Sequence, residues 1–162
     1  MQISIKKCHK LAVIPTQAEG DVGFDLYSVE DITLEKFKVT KVKTGLQIAD
    51  YYPSLEAARI EVDGAIQQWE FNLTVYPKIE GRSSLGSIGI FPIAGIIDPA
   101  YRGEILVTLA NLSDTIYDIK AGDKIAQFVL NTCVNTPFVE FREVFDVKNT
   151  ARGSKGFGST GR

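Results

Sequence analysis

GEILVTLANL, residues 103–112, is apolar on both of its faces: Ile105, Val107 and Leu109 recur on one, Leu106 and Ala110 on the other. A strand of that kind is buried on both sides, which in a small domain means a central place in a sheet or burial against another subunit. Around it the chain alternates apolar and polar residues with a period of two, in QISIKK (2–7), DITLEK (31–36), FKVTKV (37–42), WEFNLTVY (69–76), KIAQFVLN (124–131) and FVEFREV (138–144). That period puts successive side chains on opposite faces of a strand. Glu19-Gly20-Asp21, Asp98-Pro99 and Ala121-Gly122-Asp123 supply turn chemistry between the runs. The expected fold is mainly β, a sandwich or barrel. One stretch departs from the pattern. In SLEAARIEVDGAIQQW (54–69), Leu55, Ala58, Val62, Ala65, Ile66 and Trp69 recur at spacings of three and four behind Ser54 as N-cap, which predicts one short helix over about 54–68. Asp63-Gly64 would equally turn a β-hairpin between RIEV and WEFNLTVY.

With 162 residues the chain fits a single domain. Its 18 basic and 20 acidic residues leave a net charge of −2, so nothing in the overall balance suits nucleic acid or an anionic membrane, and phosphate binding has to be local. Cys8 and Cys133 have no metal-type spacing and read as two reduced thiols. His9 is the one histidine, without a cluster around it, which excludes a His-based zinc site or triad. The N-terminal MQISIKKCHKL lacks the apolar run of a signal segment, and no stretch is long and apolar enough to span a bilayer; a soluble, intracellular protein is expected.

Four internal stretches and the C-terminus carry candidate chemistry. GRSSLGSIG (81–89) combines Arg82 with three serines and three glycines. A guanidinium fork, hydroxyls and backbone N–H groups suit phosphate oxygens, although such a stretch is also an ordinary loop. It is no P-loop, because no Gly-Lys-Ser/Thr closes it. AGIIDPAYRGE (94–104) holds Asp98 and Tyr101 in one turn. The carboxylate could act as general base and the ring could pack on a sugar, or the pair could form a plain Asp-Pro turn with the tyrosine as a core plug. Asp25 in DVGFDLYS (21–28) and Gln127 in GDKIAQFVL (122–130) sit among apolar neighbours, where each needs a partner. The ending ARGSKGFGSTGR (151–162) has four glycines, three positive charges and a lone Phe157.

In this order GFDLYS, GRSSLG, GIIDPAYRG, GDKIAQ and RGSKGFGSTG resemble the five motifs of the trimeric deoxyuridine triphosphatase (dUTPase) family, spanning residues 23 to 161. The resemblance implies a dUTPase-like β jelly roll of the β-clip type, one domain over 1–150 with an insertion near 50–70, and a flexible Gly-rich lid over 151–162. It implies a homotrimer with shared active sites that hydrolyses dUTP to dUMP and pyrophosphate by water attack on the α-phosphorus, limiting uracil in DNA and supplying dUMP. Asp98 matches the catalytic carboxylate and Tyr101 the ring on the deoxyribose. Gly95, Ile96 and Ile97 match the hairpin that reads uracil, and Arg82, Ser83, Ser84 and Gln127 match phosphate contacts. Asp25 matches the acid that supports Mg2+, a cofactor held mostly by phosphates and water. In the tail, Phe157 would stack on uracil, Arg152 would pair with the γ-phosphate, and Gly158, Ser159 and Thr160 would add contacts. The implied setting is the cytoplasm, of a cell or of a virus-infected host.

The sequence departs from the family pattern at Gly81, where proline commonly precedes the Arg-Ser pair, at Lys155, where glycine is common, and in the long connection from Leu46 to Arg82. An insertion there suits a surface loop and a protein partner. A dCTP deaminase, alone or bifunctional, is the nearest rival, but it needs a glutamate where this chain has Thr108. A regulatory binding protein that uses the nucleotide as a switch is the rival from another class.

Overall fold

The computed structural model describes residues 3–51, 54–55, 59–62, 65–68, 73–134 and 141–146. Its strands are β1 (Ile3–Lys7), β2 (Phe24–Tyr27), β3 (Ile32–Leu34), β4 (Val39–Tyr51), β5 (Ser54–Leu55), β6 (Arg59–Val62), β7 (Ala65–Gln68), β8 (Leu73–Glu80), β9 (Ile90–Pro92), β10 (Glu104–Asn111), β11 (Tyr117–Ile119) and β12 (Lys124–Val134), with one helical turn, α1 (Ser83–Gly86). Every pairing is antiparallel. One sheet runs β1-β4-β10-β9, a second β2-β12-β8-β5, and β11-β3 forms a small pair beside them. This is the mainly β, jelly-roll-type architecture that the alternation and the motifs predict.

The 103–112 stretch takes the central position expected of it, as β10 between β4 and β9. Ile105, Val107 and Leu109 are buried in the core, joined there by Val42, Leu46 and Ile48 of β4 and by Ile79, Ile125 and Phe128 of the second sheet. Each such side chain stabilises the fold by roughly 1.5–3 kcal/mol through removal from water. Leu106 and Thr108, on the other face, are only half-buried.

The polar residues buried in the core, Ser28, Thr44 and Asn111, are hydrogen-bonded. Thr44 donates to the Ile105 carbonyl at 2.6 Å and accepts from Leu46 N–H at 3.3 Å, and Glu104 Oε1 accepts from Gly45 N–H at 2.8 Å. These bonds close a bulge where the β4–β10 register shifts, with Gly45 at φ 66°. Asn111 donates to the carbonyls of Leu34 and Thr115 and accepts from Ser113, tying the end of β10 to the end of β3 and to the turn that follows β10.

The helix expected over 54–68 does not form. β6 and β7 pair instead in a hairpin, Val62 opposite Ala65 and Arg59 opposite Gln68, while Ser54 and Leu55 add to β8. A glycine in mid-helix costs about 1 kcal/mol, and Asp-Gly is the favoured two-residue hairpin connection. The hairpin alternative was right about the turn and wrong about the partner, since RIEV pairs with AIQQ. Strand β8 spans Leu73–Glu80, and Trp69 lies outside the described residues. Residues 141–144, the described part of FVEFREV, form no strand. Cys8 and Cys133 are free and exposed. His9 is exposed, its Nδ1 accepting from Leu11 N–H at 3.2 Å.

Candidate active site

Two groups of the expected site residues come together. The first grows from the edge of the second sheet. After β9 the Ile93 N–H still bonds Thr108 O at 2.8 Å in the first sheet, and the chain then crosses to β8, where Gly95 O accepts from Ile79 N–H at 2.7 Å and Ile97 N–H donates to Pro77 O at 2.9 Å. Pro77 has no N–H to give to the ladder, but its carbonyl serves here. The approach requires glycine: a Cβ on Gly95 would lie 2.4 Å from Ile79 O. Between the two bonded residues, Ile96 turns its own N–H and C=O away from β8, because successive peptide groups along a strand point to opposite sides.

Residues 98–101 then form a β-turn with Pro99 second, closed by Tyr101 N–H to Asp98 O at 2.9 Å. Arg102 Nη1 clamps the turn by donating to the carbonyls of Pro99 and Tyr101 at 2.7 and 3.0 Å. Tyr101 is no core plug: it is 45% exposed, and its hydroxyl donates to Glu104 O at 2.9 Å. Its ring lies over Gly103, where a Cβ would meet the hydroxyl oxygen at 2.3 Å. Asp98 is exposed. A cavity of about 180 Å3 is lined by Ala94, Ile96, Ile97, Asp98, Tyr101, Glu104 and Leu106. Apolar walls, an outward backbone donor and acceptor, and a carboxylate at the rim suit a flat ring with polar edges attached to something hydrolysable.

The second group is cationic. Asp25 on β2 has the partners its setting demands, Lys124 Nζ at 2.7 Å and Arg82 Nε at 3.3 Å. Arg82 Nη1 also donates to Lys124 O at 3.2 Å, whereas its buried Nε–H has no aligned hydrogen-bond acceptor. The hydrogen bond and charge of Asp25 raise the Lys124 pKa above the ordinary lysine value. Arg82 caps α1 by its backbone alone, which leaves the guanidinium for these contacts, and Ser83 and Ser84 are exposed in that turn. Gln127, half-buried opposite Asp25 on β12, packs on Gly23, where a Cβ would come within 2.7 Å of its Oε1. An open cavity of about 340 Å3 is lined by Arg82, Ser84, Tyr117, Gly122, Asp123 and Lys124. Cations, hydroxyls and a glycine turn are the donors that phosphate needs.

Asp25, Gln127 and Glu80 stand opposite one another across β2, β12 and β8, and Ile96 pairs with Lys78 on the far side of β8. Three strand spacings, about 14 Å, therefore separate Asp25 from Ile96 along the sheet, and two separate Gln127 from it. Arg152, Phe157, Gly158, Ser159 and Thr160 lie outside the described residues. Sequence reasoning did not single out Ala94, Arg102, Glu104 or Lys124 as site residues, although all stand within the quoted motifs. An apolar groove of about 260 Å3 lined by Ile3, Ile5, Phe24, Phe128 and Leu130 offers no chemistry.

Fold and site together define a jelly-roll-type β protein with a divided site, one part suited to phosphate and the other to a base and sugar. A family model described as dUTPase matches residues 60–161. The deoxyuridine 5'-triphosphate nucleotidohydrolases of Helicobacter pylori (strain P12) and Picosynechococcus sp. (strain PCC 7002) are 36% and 37% identical to it, each over 99% of this chain and over 97% and 99% of their own lengths. A solved dUTPase of Staphylococcus bacteriophage 80alpha, with dUpNHpp, shares the fold with a TM-score of 0.74 at 21% identity, covering 99% of each chain. The chain belongs to the dUTPase family.

Proposed function

We propose that the two parts of the site carry out one reaction, the hydrolysis of dUTP to dUMP and pyrophosphate. The protein is a dUTP diphosphatase by its family and its full-length relatives. What supports these steps is the seating of Gly95 and Ile97 on β8, which turns the Ile96 N–H and C=O outward and sets Ile96, Asp98 and Tyr101 around one cavity. Uracil offers O4 as acceptor beside N3–H as donor, the complement of the Ile96 pair, whereas cytosine offers the reverse. Tyr101, steadied by its bond to Glu104 O, packs on the deoxyribose. Asp98 draws a proton from the water that attacks the α-phosphorus, and the electrons of the breaking P–O bond leave with pyrophosphate.

Arg82, Ser83, Ser84 and Gln127 hold the phosphates, the Arg82 guanidinium being oriented by its ion pair with Asp25. The dUTPase family generally uses Mg2+. No cluster of three or more His, Cys, Asp or Glu side chains stands ready for a metal among the described residues, so the ion would be held chiefly by the triphosphate and water, with Asp25 as the supporting carboxylate. When bound it offsets negative charge on the phosphates.

Asp98 must act within a few ångströms of bound phosphate, yet in its own chain Asp25 and Gln127 stand three and two strand spacings, about 14 and 10 Å, from the neighbouring Ile96. We therefore assign the phosphate end of each site to a neighbouring copy in a homotrimer. The half-buried face of Leu106 and Thr108 is consistent with a subunit contact. Residues 1–150 act as the catalytic domain and 151–162 as the lid, where Phe157 covers the base and Arg152, Gly158, Ser159 and Thr160 meet the phosphates. No helix among the described residues is long and apolar enough to cross a membrane; we assign the enzyme to the cytoplasm of a cell or of an infected host. Among the described residues the β6–β7 hairpin pairs with no other strand, which supports the 50–70 insertion as the surface for a protein partner. Thr108, a hydroxyl, cannot serve as the base that deamination of dCTP needs near neutral pH.

The test is pyrophosphate release with Mg2+ from dUTP against dCTP, dTTP and UTP, with ammonia followed in parallel. Release from dUTP alone without ammonia is expected. Ammonia from dCTP, or silence on every nucleotide, would overturn the reading.

A further inference from the structure

Among the described residues two that are not glycine have left-handed backbones, Phe37 at φ 55° and Ala94 at φ 58°. A residue with a Cβ rarely adopts this region, because the Cβ crowds the following carbonyl, and it persists where the surroundings over-determine it. Phe37 lies in an exposed turn between β3 and β4, away from the site. Ala94 is fixed from both sides. Ile93 N–H is bonded to Thr108 O in the first sheet, and Gly95 O is bonded to Ile79 N–H in the second, so the chain changes sheets within this one residue. Ala94 also lines the cavity that holds Asp98 and Tyr101.

We infer that Ala94 is a specificity-determining positioning residue: its left-handed corner fixes the backbone frame of Ile96 that meets the base edge. The inference rests on the dUTP reading above. A frame made of one N–H and one C=O separates uracil from cytosine only if it cannot rotate or slide to accept the reversed donor pattern. Ala94 limits that freedom. Glycine would occupy the same left-handed region without strain but would also reach others, so the corner would gain conformations while keeping its bonds.

The experiment compares wild type, Ala94→Gly and Phe37→Gly for kcat and KM on dUTP and dCTP with Mg2+, alongside thermal melting. For Ala94→Gly, KM for dUTP should rise about tenfold with a smaller change in kcat, and the dUTP to dCTP ratio of kcat/KM should fall about tenfold. Its melting temperature should not fall, because strain is relieved. Phe37→Gly removes the other left-handed side chain and should leave KM and the ratio at wild-type values. An Ala94→Gly enzyme with wild-type KM and ratio would overturn the inference alone. So would a lowered melting temperature with equal losses on both nucleotides, which marks a merely structural role. A wild type inactive on dUTP would overturn the functional reading and this inference with it.

Discussion

Replacing Gly95 with alanine would set a Cβ 2.4 Å from the carbonyl oxygen of Ile79, where real contacts of this kind keep at least 3.0 Å. The obstacle is backbone in β8 and cannot swing aside as a side-chain tip would. Relief needs a separation of at least about 0.6 Å, which stretches both bonds that seat the hairpin, Ile79 N–H to Gly95 O at 2.7 Å and Ile97 N–H to Pro77 O at 2.9 Å. Each bond contributes a net of about 1 kcal/mol, and loosening of Ile97, 7% exposed, adds to the loss. A destabilisation of about 2–3 kcal/mol follows, which in a chain of this length lowers Tm by roughly 4–12 °C. Asp98 moves with the hairpin, and a misplacement approaching 1 Å costs about 100-fold in turnover. Circular-dichroism melting and pyrophosphate release measure the two effects. A Gly95→Ala protein with Tm within about 1 °C of wild type and kcat/KM within about twofold would refute the seating of the hairpin on β8 and everything argued from it.

Three further outcomes are expected. Asp98→Asn should bind dUTP with near-normal affinity, by calorimetry, while kcat falls by about 100- to 10,000-fold; wild-type turnover would remove Asp98 as base. Tyr101→Phe loses the bond to Glu104 O, costs about 1 kcal/mol of stability, and should weaken rejection of UTP more than it slows dUTP hydrolysis, as a kcat/KM ratio will show. The Asp25 carboxylate keeps Lys124 charged above the ordinary value of 10.5, so a raised folded pKa is at issue. That stabilisation is fully present below the unfolded pKa and is lost as pH rises through the folded value. Urea midpoints followed upward from neutral pH should therefore decline more at the alkaline end for wild type than for Lys124→Met, and identical alkaline limbs would show that the pair contributes nothing to folding.

The strands were legible because their signal is local. Alternation around Val107, Val42 and Phe128 needs only neighbours two residues apart, and Gly122, at φ 95°, marks its turn by its own conformational freedom. The segment 54–69 was misread because Leu55, Ala58, Val62 and Ala65 satisfy a helical spacing by type alone, while Asp63-Gly64 favours a hairpin. Site chemistry was legible as residue types: Asp98 and Tyr101 in one turn, Arg82 with its serines, and an Asp25 that had to find a partner. By itself, then, the sequence determined the β class, the turns, the family and which side chains could act. Only the tertiary structure decided that Arg82 and Lys124 hold Asp25, that Gly95 seats on Ile79, and that Ala94 is the corner between two sheets. Those relations join residues far apart in the chain through strand order and register, which set where a backbone must bend and which charges meet, and no short-range pattern encodes them.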